Sequence, residues 1–177
     1  MKIEDICFID IETSGLYPHR HGTCQIGAII GDRTFFSTAH VPNIMEVDDA
    51  ALAINGETRD SIFDTNRRFV AEVLQSLRAF IAWDNPKGIV AGGHNPSFDL
   101  GFIRHDCDIY GIPYMFSHRS IDTHTMFVDR FGFTCNLDTA RTTVGLPEEP
   151  KPHNALVGAK CAQQLYLKLK GLPCIQQ

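Results

Sequence analysis

Residues 5–11 (DICFIDI) form an apolar run that ends in acids, the pattern of a buried strand. Residues 23–30 (TCQIGAII) and 33–37 (RTFFS) are two further β-rich runs, and Gly31-Asp32 between them is a hairpin signal. Residues 38–65 carry no clear period. Pro42, Asn43, Asn55 and Gly56 punctuate them, which predicts loops with a short helix. Across 66–83, apolar residues at Phe69, Val70, Val73, Leu74, Leu77, Phe80 and Ile81 repeat at helical spacing along one face. Asp64 or Thr65 caps the start of that helix, and residues 85–88 (NPKG) end it. Residues 88–92 (GIVAG) make a short apolar strand. Pro96 opens a helix to about Tyr110, closed by residues 111–113 (GIP). A short strand at 119–122 precedes helices near 123–131 and 136–145, the second stopped by Gly145 and Pro147. The last helix runs from about His153 to Lys170, with Gly171 and Pro173 after it. The order β-β-β-α-β-α-β-α-α is an α/β pattern with an antiparallel start, expected as one domain over 1–177.

Composition narrows the class. The chain has 177 residues, 44% apolar and 21% charged, which rules out disorder. A chain of this size buries roughly 70% of the surface its unfolded form exposes, so it needs no disulfide or structural metal to fold. No apolar run approaches ~18 residues, so no membrane span is expected. The opening MKIEDICFIDIE has acids inside its apolar run and does not read as a signal peptide. Cys7, Cys24, Cys107, Cys135, Cys161 and Cys174 form no C-x-x-C pair. They read as buried thiols of a cytoplasmic protein rather than a zinc site. The net charge of −5, from 16 basic and 21 acidic residues, argues against coating duplex DNA by bulk electrostatics. It leaves room for an enzyme that grips one strand end through a local patch and metal ions.

Three segments carry candidate chemistry. Asp10 and Glu12 form Asp-x-Glu at a strand end, where residues two apart project from one face. Carboxylates so close repel each other, and a divalent cation removes that cost. Alone, the pair is equally readable as solvated acids. Asp99 follows His94-Asn95-Pro96-Ser97-Phe98 and falls in the first turn of a helix, where a carboxylate also suits the helix dipole. His153 opens the last helix; taken singly, it is readable as a surface or packed residue.

Together, the segments FIDIETSGL (8–16), HNPSFDLGFI (94–103) and HNALVGA (153–159) resemble, in order and context, the motifs of the DEDDh 3′–5′ exonucleases. These form the branch of the RNase H-like, DnaQ-like nucleases that includes proofreading subunits and RNase T. Weaker echoes are QIGAII (25–30), AINGET (53–58) and SIDT (120–123). The resemblance implies an RNase H-like mixed sheet flanked by helices, with three antiparallel strands first and parallel strands after. It implies hydrolysis of phosphodiester bonds at the 3′ end of single-stranded DNA or RNA, releasing nucleoside monophosphates. Asp10, Glu12 and Asp99 would bind two divalent ions, Mg²⁺ or Mn²⁺, and His153 would take the proton from the attacking water. Thr13 and Leu16 match positions that hold and wedge the terminal nucleotide, and His94, Asn95 and Phe98 would shape its pocket. Phe98 and Phe102 are candidates to stack on the terminal base. Phosphate-contact candidates are His19, Arg20, His21, Arg104, His118, Arg119, Arg141, Lys151 and Lys160, with Arg20 and Lys151 nearest the motifs.

The third motif departs from the pattern. The family places an acid five residues after the histidine, and here that position is Gly158. Glu148 and Glu149 are the last acids in the chain, so the final helix has no carboxylate and no replacement adjoins the motif. Three readings stand open: a working but weakened exonuclease, a nuclease-dead module that binds nucleic-acid ends or a protein partner, and an active enzyme carrying a sporadic or introduced glycine. Gly158→Asp is expected to raise both metal affinity and hydrolysis.

Overall fold

The structure, a computed structural model, describes residues 1–82 and 87–171. Five strands form one sheet in the order β3-β2-β1-β4-β5: β1 (Ile6–Thr13), β2 (Thr23–Ile30), β3 (Arg33–Thr38), β4 (Ile89–Gly93) and β5 (Phe116–Asp122). β1 pairs antiparallel with β2, and β2 with β3; β1 pairs parallel with β4, and β4 with β5. This is the expected mixed sheet, antiparallel first and parallel after. Among the described residues no helix is long and apolar enough to cross a membrane.

Strand alternation sorts β1 between two layers. Cys7, Ile9 and Ile11 join a core with Val70, Val73, Leu74 and Leu77 of α3 (Val70–Ile81) and Phe102, Ile103 and Cys107 of α4 (Ser97–Tyr110). Ile6 and Phe8 face the other way, onto Ala159, Ala162 and Tyr166 of α7 (Ala155–Gly171). Asp10 and Glu12 continue that second row past its apolar part, so the strand delivers both carboxylates beneath the start of α7. Two glycines bring α7 this close. A Cβ on Gly27, which pairs with Asp10 across β1–β2, would lie 2.2 Å from the backbone of Ala155 and Leu156. A Cβ on Gly158 would lie 2.5 Å from Asp10 Oδ2. With Ala155, Ala159 and Ala162, Gly158 forms a narrow face of small residues at helical spacing.

The outer side of α7 packs on α5 (Thr123–Phe131) and α6 (Leu137–Thr143) through Phe127, Ala140, Val144, Leu165 and Leu169. The unpatterned region 38–65 holds two short helices, α1 (Asp49–Asn55) and α2 (Arg59–Ile62), which bury Leu52 and Ile62 against Cys24 and Val41.

Boundaries differ from the sequence expectation in places. β1 extends to Thr13, so Glu12 belongs to the strand. β5 begins at Phe116 rather than 119. α3 begins at Val70, not 66, and neither Asp64 nor Thr65 caps it. Residues 64–67 form a turn in which Asp64 accepts from the Asn66 N–H, while Arg68 C=O accepts from His40 N–H and holds the chain extended. The expected helix end at Trp83 and the stop at Asn85-Pro86 lie outside the described residues, as do Pro173 and Cys174.

Candidate active site

Asp10, Glu12, Asp99 and His153 meet at one cavity of about 220 Å³, also lined by Ile11, His94, Asn95, Phe98 and Glu149. Each arrives by a different device. Asp10 and Glu12 come from the α7-facing row of β1. Asp99 stands in the first turn of α4, and its Oδ1 accepts a hydrogen bond from Ile11 N–H at 2.9 Å. That N–H lies past Phe8, the last residue of β1 paired with β4, so the side chain takes over from the neighbouring strand. His153 precedes α7. Its N–H donates to Ile54 C=O at 3.1 Å, tying it to α1, while Asn55 of the same helix donates to Thr13 C=O. The His153 ring lies between a cation and an anion. Lys151 Nζ is in hydrogen-bond contact with Nε2, and Nδ1 is 3.7 Å from Glu149 Oε2.

Glu149 is the site residue that sequence reading missed. It lies on the irregular segment between α6 and α7 and is only 5% exposed. Its N–H donates to Asp138 Oδ1 at 2.8 Å. Arg141 fixes the same segment. This residue, expected among the phosphate contacts, is instead 2% exposed. It donates to Pro147 C=O, Cys161 C=O and the Gln164 side chain, stapling the segment to α7. A buried guanidinium needs such acceptors, and here they are carbonyls and an amide. No spacing rule links position 149 to the histidine motif; the available signal was an acid four residues before His153.

Gathered carboxylates raise one another's affinity for protons. Burial first, then Asp99, Glu12 and Glu149, holds Asp10 well above the usual carboxylate range. Burial, with Glu149, Asp99 and Glu57, pushes Glu12 up to about 8. Burial pushes Asp99 up to about 7, against the Ile11 N–H, which favours the charged form. Burial raises Glu149 too, opposed by His153 and Lys151. The donor set is all oxygen and strongly self-repelling, which fits a hard divalent cation such as Mg²⁺ or Mn²⁺. Glu149 Oε1 is buried with no hydrogen-bond partner, an orphaned acceptor that a cation would satisfy. Among the described residues no three of these groups already converge on a single point.

The remaining expected contacts divide. His94, Asn95 and Phe98 line the cavity. Both His94 ring nitrogens are engaged, with Thr123 Oγ1 at 3.0 Å and Cys135 C=O at 3.3 Å, and burial lowers its pKa. Asn95 takes a left-handed φ of 61° and donates its N–H to Asp122. Thr13 does not reach the cavity; it is buried and its hydroxyl donates to Gly15 C=O, shaping the turn that carries Leu16. Leu16 is 63% exposed and outside the cavity lining. Phe102 is core and cannot stack on a base. Arg20 is paired with Glu46, and His21 is buried. Lys151, paired with Asp138 at 2.7 Å, is the expected cation nearest the carboxylates. His19, Arg104, His118, Arg119 and Lys160 are exposed. A Cβ at 158 would meet the end of the Asp10 side chain, 2.5 Å from Oδ2, so the expected gain from Gly158→Asp requires the Asp10 carboxylate to turn aside.

The fold is shared with solved nucleases. The nuclease domain of 3′hExo, a DEDDh family member bound to rAMP, is 16% identical with a TM-score of 0.76, covering 97% of this chain and 94% of that one. A 3′-exonuclease recognising the 3′ end of a histone mRNA stem-loop is 16% identical with a TM-score of 0.72, covering 98% and 85%. The zinc-bound E. coli exonuclease I complex with single-stranded DNA is 15% identical with a TM-score of 0.73; it covers 93% of this chain but 40% of that one. No curated protein matches the sequence. Residues 7–166 match the RNase_T family, described as Exonuclease. With that match over most of its length and a fold shared with DEDDh nucleases, the chain belongs to the exonuclease family.

Proposed function

We propose that this protein is a divalent-metal-dependent 3′–5′ exonuclease that removes nucleoside monophosphates from the 3′ end of single-stranded nucleic acid. The observation that carries this reading is the convergence of Asp10, Glu12 and Asp99 on a cavity with His153 at its wall. Divalent ions bound there would supply an activated water and offset charge on the phosphate in an in-line displacement. The protein's own groups do the rest. The carboxylates of β1 and α4 hold fixed positions, because one pair sits on a strand and the other acid is tied to Ile11 N–H. His153 accepts the proton of the attacking water at Nε2, the nitrogen that Lys151 contacts, so Lys151 must withdraw first. An incoming phosphate attracts that ammonium and opens the nitrogen as substrate arrives. Phe98, His94 and Asn95 bound the space for the terminal nucleotide. Leu16, exposed on the turn after β1, would press on its base from outside the cavity lining.

The test is hydrolysis of a single-stranded oligonucleotide, as DNA and as RNA, with Mg²⁺, Mn²⁺ or EDTA. The expected result is metal-dependent shortening by the unaltered protein that Glu12→Ala abolishes. Activity that survives Glu12→Ala, or that persists in EDTA, overturns the assignment of this site. Binding of the oligonucleotide without hydrolysis in any metal would favour the end-binding module instead.

A further inference from the structure

We infer that Glu149, from the segment before α7, supplies the fourth carboxylate of the metal centre in place of an acid on α7. The inference rests on the metal-dependent reading of the cavity. Three independent features support it. Glu149 lines the same cavity as Asp10, Glu12 and Asp99 although it is 139 residues from Asp10 in sequence (149 − 10). It is 5% exposed, and its Oε1 is buried without any hydrogen-bond partner. A carboxylate left so incomplete is costly unless something else completes it. The third feature is the approach of α7 to Asp10. α7 passes so near β1 that the Asp10 carboxylate occupies the space of a Cβ at position 158. An acid at that helix position would require the Asp10 carboxylate to turn aside.

The two departures are therefore one. Glycine at 158 lets α7 press on the sheet and removes the helical ligand. The segment before His153 then brings a longer acid to the same cavity. Arg141 makes this possible by holding the Pro147 carbonyl, and Asp138 by accepting from the Glu149 N–H. The 3.7 Å separation from His153 Nδ1 also puts Glu149 where it can orient the ring. A purely orienting role is the competing account and makes a different prediction.

The experiment is calorimetric titration of the full chain with Mn²⁺, without nucleic acid, comparing the unaltered protein with Glu149→Gln, Glu12→Gln and the adjacent Glu148→Gln. Loss of a metal ligand costs at least what loss of its supporting partner does, roughly tenfold in affinity. The expected result is that Glu149→Gln and Glu12→Gln each weaken Mn²⁺ binding by about tenfold or more, while Glu148→Gln leaves it unchanged. Weakening by Glu12→Gln with unaltered affinity in Glu149→Gln would overturn the inference and leave the proposed function standing; Glu149 would then only orient His153. Unaltered affinity in both would overturn the metal site itself. Thermal melting in EDTA checks folding. If Glu149→Gln melts far below the unaltered protein, Glu149→Asp replaces it, with weaker Mn²⁺ binding expected and unaltered binding contradicting the inference.

Discussion

Asp10 shows how little space the site has. Its side chain lies between a strand neighbour without a Cβ, Gly27, and a helix residue without one, Gly158. Displacing a catalytic group by about 1 Å can cost on the order of 100-fold in rate. Gly158→Ala is therefore expected to reduce metal-dependent hydrolysis by roughly 10- to 100-fold. Its effect on stability is the difference of two opposed terms. Helix propensity gains up to about 1 kcal/mol, and crowding costs about 1–3 kcal/mol. Rate assays paired with thermal melts read both. Full activity in a well-folded Gly158→Ala protein would show that Asp10 can move without consequence. Asp10, Glu12, Asp99 and His153 were legible because three ordered segments, 8–16, 94–103 and 153–159, resemble the motifs of the DEDDh exonucleases; taken singly, each had a plain structural reading. Glu149 was not legible, because an irregular segment has no period and its path depends on a buried arginine six residues before Pro147.

At the scale of elements, α7 is the part that must be seated correctly. Gly27 allows its first turn to touch β2, and a Cβ there meets backbone atoms that no side-chain rotation can clear. Gly27→Ala is expected to destabilise the fold by at least about 1–3 kcal/mol in urea unfolding, with loss of activity as His153 moves with the helix. An unchanged midpoint would show that α7 sits farther from the sheet. Arg141 is the second anchor. Arg141→Leu leaves the carbonyl of Pro147 without its Arg141 donor and removes the added bond to Cys161 C=O; it is expected to cost about 1–3 kcal/mol, together with weaker Mn²⁺ binding as the segment carrying Glu149 loosens. The sequence located all five strands, because short apolar runs between turn signals have few alternatives. It placed the start of α3 four residues early (70 − 66), because Phe69 fits the helical period although Arg68 is bonded to His40. It did not resolve α1 and α2, whose few turns are set by what they cover rather than by a long amphipathic pattern.

For the molecule as a whole, four acids in one cavity set the response to pH. Glu12 rises from an ordinary 4.5 to about 8, and Asp99 from 3.8 to about 7. Between the ordinary values and these raised ones, the folded metal-free protein holds protons that the unfolded chain has released. Its stability is then full below the ordinary carboxylate pKa and falls as pH rises toward 8. In EDTA the melting temperature is expected to drop by several degrees between about pH 5 and 8, and excess Mn²⁺ should restore most of that loss. A flat profile would mean that the buried carboxylates ionise without the cost of leaving water. The net charge is −5, and Lys151 stands beside His153 at the cavity, paired with Asp138. On the proposed function, substrate grip would rest on bound divalent ions, and hydrolysis should then tolerate salt better than binding to a broad basic face would.

The most direct measurement of the central claim follows both ends of one single-stranded oligonucleotide in Mg²⁺ or Mn²⁺. A label at the 3′ end should leave at once as a mononucleotide, while a label at the 5′ end should remain on a ladder that shortens one nucleotide at a time. Release of the 5′ label as a mononucleotide, internal cuts alone, or no cleavage in either metal would contradict a 3′–5′ exonuclease built on Asp10, Glu12, Asp99 and His153.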